Sequence, residues 1–236
     1  MKPAAIANGY MAILATISPN LMAMGNDDPL MAKVIIERLE AGIDNRDIPQ
    51  WLEVTGWAGY DLNKLWLKSS IERTDSETES GDIELLYGRA IAPYWDFQLG
   101  WKRDFQPTPT RDWLAIGFQG LAPYFFEVDS TLYLGSSNRS ALEIEVEYEL
   151  MLTQRWVLSP RTEILLNGQN DNRTATGSGL SSLEAGLRLR YEIRREFAPY
   201  LGIHWERAYG NTADLRQEEG EKTSEVHIVV GIRAWF

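Results

Sequence analysis

The sequence contains no cysteine and only two histidines in 236 residues. It also has no run of about 20 apolar residues. The absence of cysteine excludes a disulfide framework and a thiolate metal site of the zinc-finger or iron–sulfur type. The absence of a long apolar run excludes a transmembrane helix. A membrane-spanning β-barrel stays compatible with the sequence, because a barrel strand needs only about 9–11 residues of alternating polarity.

Basic residues are scarce relative to acidic ones. The chain has 23 Lys and Arg against 34 Asp and Glu, which gives a formal net charge of −11 at pH 7. Proteins that bind nucleic acid present a basic patch, so this composition argues against nucleic acid and is compatible with cations as partners. The chain also lacks a Gly-x-Ser-x-Gly elbow and a phosphate-binding loop, so we do not expect an enzyme.

Strict alternation of polar and apolar residues is the main structural signal. Residues 142–150 read L-E-I-E-V-E-Y-E-L. Successive side chains of a strand point to opposite faces, so a strand places the four glutamates on one face and the apolar residues on the other. Similar alternation recurs after residue 31, for example over 183–192 and 226–236. The pattern predicts an all-β protein without a long helix.

The connections between the predicted strands alternate in length. Short turns, such as 61–64 and 153–156, alternate with long polar segments near 42–50, 74–81, 106–112, 135–140, 168–181 and 208–225. We count twelve strands, and the last ends in aromatic Phe236. These features predict a transmembrane antiparallel up-and-down β-barrel of about 12 strands, with short periplasmic turns and longer extracellular loops. The alternative is a soluble β-sandwich, with the apolar row inward and the acids outward.

The N-terminal residues are typical of an export signal. A short apolar run from Tyr10 to Ile17 is followed by Ala23-Met24-Gly25, which fits a small-x-small cleavage site. The sequence therefore predicts a signal peptide over residues 1–25, a short periplasmic segment over 26–30 and a barrel over 31–236. The expected location is the outer membrane of a Gram-negative cell, in contact with its lipid.

In a barrel, the acidic row faces the lumen. The row consists of Glu143, Glu145, Glu147 and Glu149. Three basic residues on the next two strands share its inward parity, namely Arg161, Arg188 and Arg190. Charges in a medium of reduced dielectric must be paired or hydrated, so we expect these arginines to act as counter-charges. Two interpretations stay open: a salt-bridged plug that holds the barrel's shape, and an acidic conduit that attracts a cation.

The two histidines fall on the last two predicted strands, with lumen parity. If these strands pair so that His227 faces Glu206, His204 lies diagonally one step away, close enough to share a ligand. Imidazole and carboxylate groups suit Cu(II), zinc or nickel. His204, Glu206 and His227 are therefore a hypothetical metal site. The alternative is that each histidine only forms hydrogen bonds inside a polar lumen.

Several long segments resemble one known family. They are G-W-A-G-Y-D-L-N-K-L-W-L-K at 56–68, L-L-Y-G-R-A-I-A-P-Y-W-D at 85–96, Q-G-L-A-P-Y-F-F-E at 119–127, Y-E-L-M-L-T-Q-R at 148–155, G-S-G-L-S-S-L-E-A-G-L-R-L-R-Y-E-I-R-R-E-F-A-P-Y at 177–200 and G-I-R-A-W-F at 231–236. Together they resemble the copper resistance protein B family of Gram-negative bacteria, over residues 28–236.

The resemblance implies an outer-membrane barrel that binds or passes copper ions, with copper as ligand or substrate and no catalytic cofactor. Many members carry a Met- and His-rich segment before the barrel, but residues 26–50 here contain no His and only one Met, Met31. Any copper site is therefore expected inside the barrel. Two alternatives remain. One is a structural anchor for a periplasmic multicopper oxidase, docked on the short-turn face near Arg155, Arg194 and Arg195. The other is a small non-selective cation pore.

Overall fold

The computed structural model describes residues 28–43, 48–74 and 77–236. Their strands form one antiparallel sheet. Its strands are β1 (Met31–Gly42), β2 (Gln50–Gly59), β3 (Asn63–Thr74), β4 (Glu77–Ala92), β5 (Trp95–Gln106), β6 (Arg111–Ala122), β7 (Phe126–Gly135), β8 (Ser140–Tyr148), β9 (Leu150–Met151), β10 (Trp156–Asn167), β11 (Gly179–Tyr191), β12 (Phe197–Ala208) and β13 (Ser224–Trp235). The predicted signal peptide lies outside the described residues.

The sheet closes on itself. Strand β1 pairs with both β2 and β13, and β10 pairs with β11 on one side and with β8 and β9 on the other. Because β9 continues β8 after the break at Glu149, the barrel has twelve strands, and the predicted fold class and strand number are confirmed. The pairing of β1 with β13 removes the two edges that an open sheet would present to another chain. No helix in the described part of the chain is long and apolar enough to cross a membrane.

The alternating polarity sorts side chains between the two faces of the barrel wall. On β12, Leu201 and Ile203 point outward and are 53% and 52% exposed, whereas Tyr200 and His204 point inward and are 6% and 4% exposed. The same division holds for the neighbouring strand β13, where Val226 and Ile228 are exposed and His227 is buried. The outer face is therefore apolar and faces lipid, and the polar face encloses a lumen.

The ends of the barrel differ from each other. Short turns join β2 to β3, β4 to β5, β6 to β7, β9 to β10 and β11 to β12. Tyr94 and Tyr124 lie in two of these turns and are 77% and 84% exposed, as expected for an aromatic girdle at the membrane interface. Three connections at the opposite, extracellular end are longer, between β1 and β2, β10 and β11, and β12 and β13. The other three, between β3 and β4, β5 and β6, and β7 and β8, are as short as the periplasmic turns, so the predicted alternation of turn length holds for only half of the extracellular connections.

Two extracellular connections differ from the sequence prediction. The segment 74–81 was expected to be a loop, but β3 and β4 extend through most of it as a hairpin. The segment 208–225 contains a helix that was not expected, α1 (Gly210–Glu219). Helix α1 ends at Gly220, whose left-handed φ of 81° lets its amide donate to the carbonyls of Arg216 and Gln217. This helix lies at the extracellular mouth of the lumen and contacts β11.

Candidate cation site in the barrel lumen

The barrel encloses a cavity of about 660 Å³ that is lined mainly by charged side chains. Among the described residues, thirteen carboxylates and six lysine or arginine side chains line it, so acidic groups exceed basic groups by seven. A lumen with this excess has a negative potential, which concentrates cations and repels anions.

The predicted acidic row points into the barrel and is partly paired. Each of its members contacts at least one basic side chain: Glu143 lies 3.8 Å from Lys102, Glu145 lies 2.8 Å from Arg161, Glu147 lies 3.9 Å from Arg190, and Glu149 contacts both Arg190 and Arg233. Two of these bases, Lys102 and Arg233, were not among the predicted counter-charges. They lie on β5 and β13, far along the chain from the row.

Arg161 is the centre of an ion-pair network that crosses the lumen. Its guanidinium contacts Glu145 and Glu163 on its own side of the barrel, at 2.8 Å and 3.3 Å. It also reaches Glu53 on β2, at 2.8 Å, and Glu53 contacts Arg38. Because β2 and β10 lie nearly opposite each other in the strand order, this network joins two walls of the barrel.

Arg188 differs from its predicted role. Its guanidinium binds Glu40 on β1, with Nη2 and Oε1 separated by 2.6 Å, instead of binding the acidic row. The two side chains are almost completely buried, with 8% and 1% of their surface exposed. Arg188 therefore stabilises the wall on the side of β1.

The two histidines lie directly opposite each other on β12 and β13, in the extracellular half of the lumen. The predicted register, in which His227 faces Glu206, is therefore wrong by two residues, and Glu206 faces Glu225 instead. Each imidazole has a carboxylate nearby: His227 Nε2 lies 3.1 Å from Glu225, and His204 Nε2 lies 3.7 Å from Glu184.

The third predicted ligand, Glu206, is bound by another group. Arg216 of helix α1 places Nη1 2.8 Å from Glu206 Oε1. Burial opposes the charge of Arg216, but the carboxylate of Glu206 outweighs this effect and raises the pKa of Arg216 above its ordinary value. Within the described ranges, no three or more histidine, aspartate or glutamate side chains are arranged to hold a metal ion. The structure thus brings the two histidines together without a preformed three-ligand site.

Sequence reasoning missed Trp51, which packs against both histidines. Its ring centroid lies 5.2 Å from that of His204 and 5.9 Å from that of His227. The indole nitrogen donates a hydrogen bond to Glu72, at 2.9 Å, which fixes the ring in the lumen. Trp51 lies 153 residues before His204 and 176 before His227 in the chain, so only barrel closure brings these side chains together.

A second ion-pair cluster closes the extracellular side of the wall. Asp171, in the loop between β10 and β11, accepts hydrogen bonds from Arg111 at 2.6 Å and Arg139 at 3.1 Å. Partial burial opposes ionisation of Asp171, but the hydrogen bonds from Arg111 and the Arg173 amide outweigh it and lower the pKa of Asp171 below its ordinary value. The cluster anchors the long loop on β6 and beside β8.

Solved structures with a similar fold include two porins of low sequence identity to this chain. The NanC porin matches with a TM-score of 0.55 at 14% identity, covering 86% of this chain and 99% of that chain. The KdgM porin matches with a TM-score of 0.50 at 10% identity, covering 87% and 99%. The closed barrel, its apolar outer face and its charged lumen define this chain as an outer-membrane β-barrel protein.

The family of the chain is shown by its sequence relatives. The family model described as Copper resistance protein B precursor (CopB) matches residues 30–236. The chain therefore belongs to the copper resistance protein B family, as its motifs predicted, and it has a role in copper resistance. It is 42% identical over 212 residues to Copper resistance protein B of Escherichia coli, covering 89% of this chain and 71% of that protein. It is 38% identical over 211 residues to the Copper resistance protein B homolog of Pseudomonas syringae pv. tomato, covering 89% and 72%.

Proposed function

We propose that this barrel contributes to copper resistance by admitting copper ions into its lumen and binding them at the pair formed by His204 and His227. The observation that carries the proposal is the direct pairing of the only two histidines of the chain, inside a lumen with an excess of acidic groups. The protein would bind or pass copper without catalysing a reaction.

The chemistry of the histidine pair favours copper over the hard cations of the surroundings. Calcium and magnesium prefer oxygen ligands, whereas imidazole suits copper, zinc and nickel, and copper(II) binds most tightly in that series. Directly opposed residues have Cβ atoms about 4.5–5.5 Å apart, so two imidazoles in these positions can share one ion. Glu184 and Glu225 each lie beside one of the two imidazoles, so their carboxylates can balance the charge of the ion.

Trp51 supports a cation at the same place. An aromatic ring attracts a cation within about 6 Å of its centroid, and the indole ring is the strongest of the aromatic side chains in this respect. The ring of Trp51 lies beside both imidazoles. A copper ion held between the histidines would therefore lie close to the indole.

Calorimetric titration of the refolded barrel in detergent micelles, with copper(II) chloride, tests this proposal. We expect the H204A/H227A variant to bind copper at least about tenfold more weakly than the parent, because both imidazole ligands are lost. An affinity that is unchanged in the double variant would contradict the histidine site.

A second pair of lumen side chains provides the matched control. Gln98 and Gln119 lie on the neighbouring strands β5 and β6 and share a hydrogen bond of 2.7 Å. The Q98A/Q119A variant removes two polar lumen groups without removing an imidazole, and it should bind copper as the parent does. If it weakens binding as much as H204A/H227A does, general damage to the lumen explains the loss.

An anchoring role for the periplasmic face is a second candidate. Arg155, Arg194 and Arg195 are exposed on the short turns, as a docking surface for a periplasmic multicopper oxidase requires. Pull-down of such an oxidase with the barrel should be weakened by the charge reversals R155E/R194E/R195E. Absence of any complex at about tens of micromolar protein would argue against the anchor.

A further inference from the structure

Six carboxylates occupy directly paired positions on six consecutive strands of the barrel. In strand order from β7 to β13, the members of this carboxylate ladder are Asp129, Glu145, Glu163, Glu184, Glu206 and Glu225. Each member faces the next one across a strand pair, without an intervening residue of another type. Like charges directly opposite each other destabilise a sheet, so folding stability alone does not account for the arrangement.

The ladder climbs through the lumen. Paired positions lie along a line perpendicular to the strands, and barrel strands are tilted by about 35–45°, so the line forms a spiral. It begins at Asp129, near the periplasmic start of β7, and ends at Glu225, at the extracellular start of β13. Consecutive Cβ atoms along it are about 4.5–5.5 Å apart, so one cation can contact two neighbouring carboxylates.

The cationic side chains neutralise this path only in part. Three members have a partner of their own within 2.8 Å, namely Asp129 with Lys68, Glu206 with Arg216 and Glu225 with Lys222. In the described part of the chain, Glu184 has only the imidazole of His204, at 3.7 Å. Five of the six members line the main cavity, where carboxylates outnumber lysines and arginines. Arg161 is shared by Glu145 and Glu163, in addition to Glu53. Lys102, elsewhere in the cavity, is likewise shared by three carboxylates within 4.0 Å. Among the described residues, four lysine or arginine side chains therefore serve the six ladder carboxylates, so negative charge is left for a mobile cation.

An independent observation points to a ligand beside the ladder. His204 is only 4% exposed and its side chain lines the cavity. Within the part of the chain that the structure describes, its imidazole forms no hydrogen bond, since the contact with Glu184 at 3.7 Å is too long for one. A buried polar group normally has a partner. This imidazole therefore has a free ligand position that faces the path.

We propose that the carboxylate ladder is the path by which divalent metal cations cross the barrel, each carboxylate pair holding the ion weakly before it moves to the next. The inference rests on the proposed function and extends it from binding to passage. Conduction requires sites that bind well enough to admit an ion and weakly enough to release it. A site made of two carboxylates can bind an ion and still release it. The described residues hold no three-ligand site that would bind the ion more tightly.

Copper influx into liposomes tests the path. Barrels are inserted into vesicles that contain a copper-sensitive dye, and the initial rate is measured after addition of copper(II) chloride. The variant E163Q/E184Q neutralises two adjacent ladder members. We expect its influx rate to fall at least about tenfold, because the concentrating effect of a charged path is of this order.

The variant D82N/E127Q is the matched control, since it removes the same charge from two cavity carboxylates outside the ladder. Its rate should fall by less than about twofold. Equal losses in both variants would overturn the inference, because net lumen charge would then be sufficient. Heat-modifiable gel mobility reports whether E163Q/E184Q folds. If it does not, the single variants E184Q and E127Q are used in place of the two double variants. We then expect the copper influx rate to fall about threefold in E184Q and to stay unchanged in E127Q.

The parent barrel separates the two proposals. If it binds copper in micelles but passes none into vesicles, the ladder inference is overturned and the binding proposal stands. If the parent passes copper but H204A/H227A binds copper as the parent does, the proposed histidine site is wrong. The ladder proposal then stands, provided that E163Q/E184Q lowers the influx rate and D82N/E127Q does not.

Discussion

At the scale of single residues, parity along a strand predicts the face of a side chain but not its partner. The glutamate row and three arginines were expected in the lumen from alternation alone. The partner of Arg188, however, is Glu40, which lies 148 residues away, and Arg161 reaches Glu53 across 108 residues. These pairs depend on barrel closure and on the reach of long side chains across the lumen, which no local pattern contains.

The Arg161 network should contribute measurably to stability. The R161Q variant leaves Glu53, Glu145 and Glu163 without their shared guanidinium in a lumen where the Arg161 side chain is only 14% exposed. Breaking a buried ion pair from one side typically costs about 3–5 kcal/mol, and residual lumen water reduces this, so we expect about 2–4 kcal/mol less free energy of unfolding. Urea unfolding in lipid vesicles, followed by tryptophan fluorescence, measures it.

A surface pair provides the control for this variant. Arg103 and Asp112 form a bidentate ion pair on β5 and β6, with side chains 47% and 51% exposed. The R103Q variant removes the same charge, but this pair lies near the extracellular ends of β5 and β6, at the rim of the outer face. The free energy of unfolding should therefore change much less than in R161Q, since exposed pairs contribute little. Equal destabilisation by R161Q and R103Q would show that the cross-lumen network has no special role.

At the scale of elements, the strands were predictable and the extracellular helix was not. The strands carry a period of two over many residues, whereas α1 reads G-N-T-A-D-L-R-Q-E-E, with only two apolar residues and no amphipathic stripe. The missed helix also explains the wrong histidine register. Tight turns fix register, but β12 and β13 are joined by a 15-residue connection that leaves it to the packing of the barrel.

Helix α1 should regulate the histidine site through Arg216. In the R216Q variant Glu206 loses its guanidinium and becomes available to a copper ion near the histidines. We expect copper(II) binding to tighten by about threefold, since a partly exposed ion pair contributes up to about 1 kcal/mol. Calorimetric titration measures the change.

Arg207 is the matched control for Arg216. It carries the same charge on the adjoining end of β12, but it is exposed and stacks on Tyr209. The R207Q variant should leave copper affinity unchanged. If both variants tighten binding equally, a general loss of positive charge at the mouth is the cause, and Arg216 does not compete for Glu206.

At the scale of the whole molecule, the sequence was sufficient to predict a closed barrel but not to predict whether its lumen is plugged or open. An even number of alternating segments predicts closure, because the alternation repeats around the whole sheet. The lumen, in contrast, could be read as a plug or as a conduit. The structure contains elements of both: ion pairs that join opposite walls, and a cavity of about 660 Å³ with an acidic excess.

The central claim is that copper binds inside this lumen, between His204 and His227. Its most direct test is a crystal structure of the copper-soaked barrel, with anomalous scattering recorded on both sides of the copper absorption edge. The account predicts an anomalous peak between the two imidazoles, beside Trp51. A lumen without an anomalous peak, or a peak only on the outer surface of the turns, would contradict it.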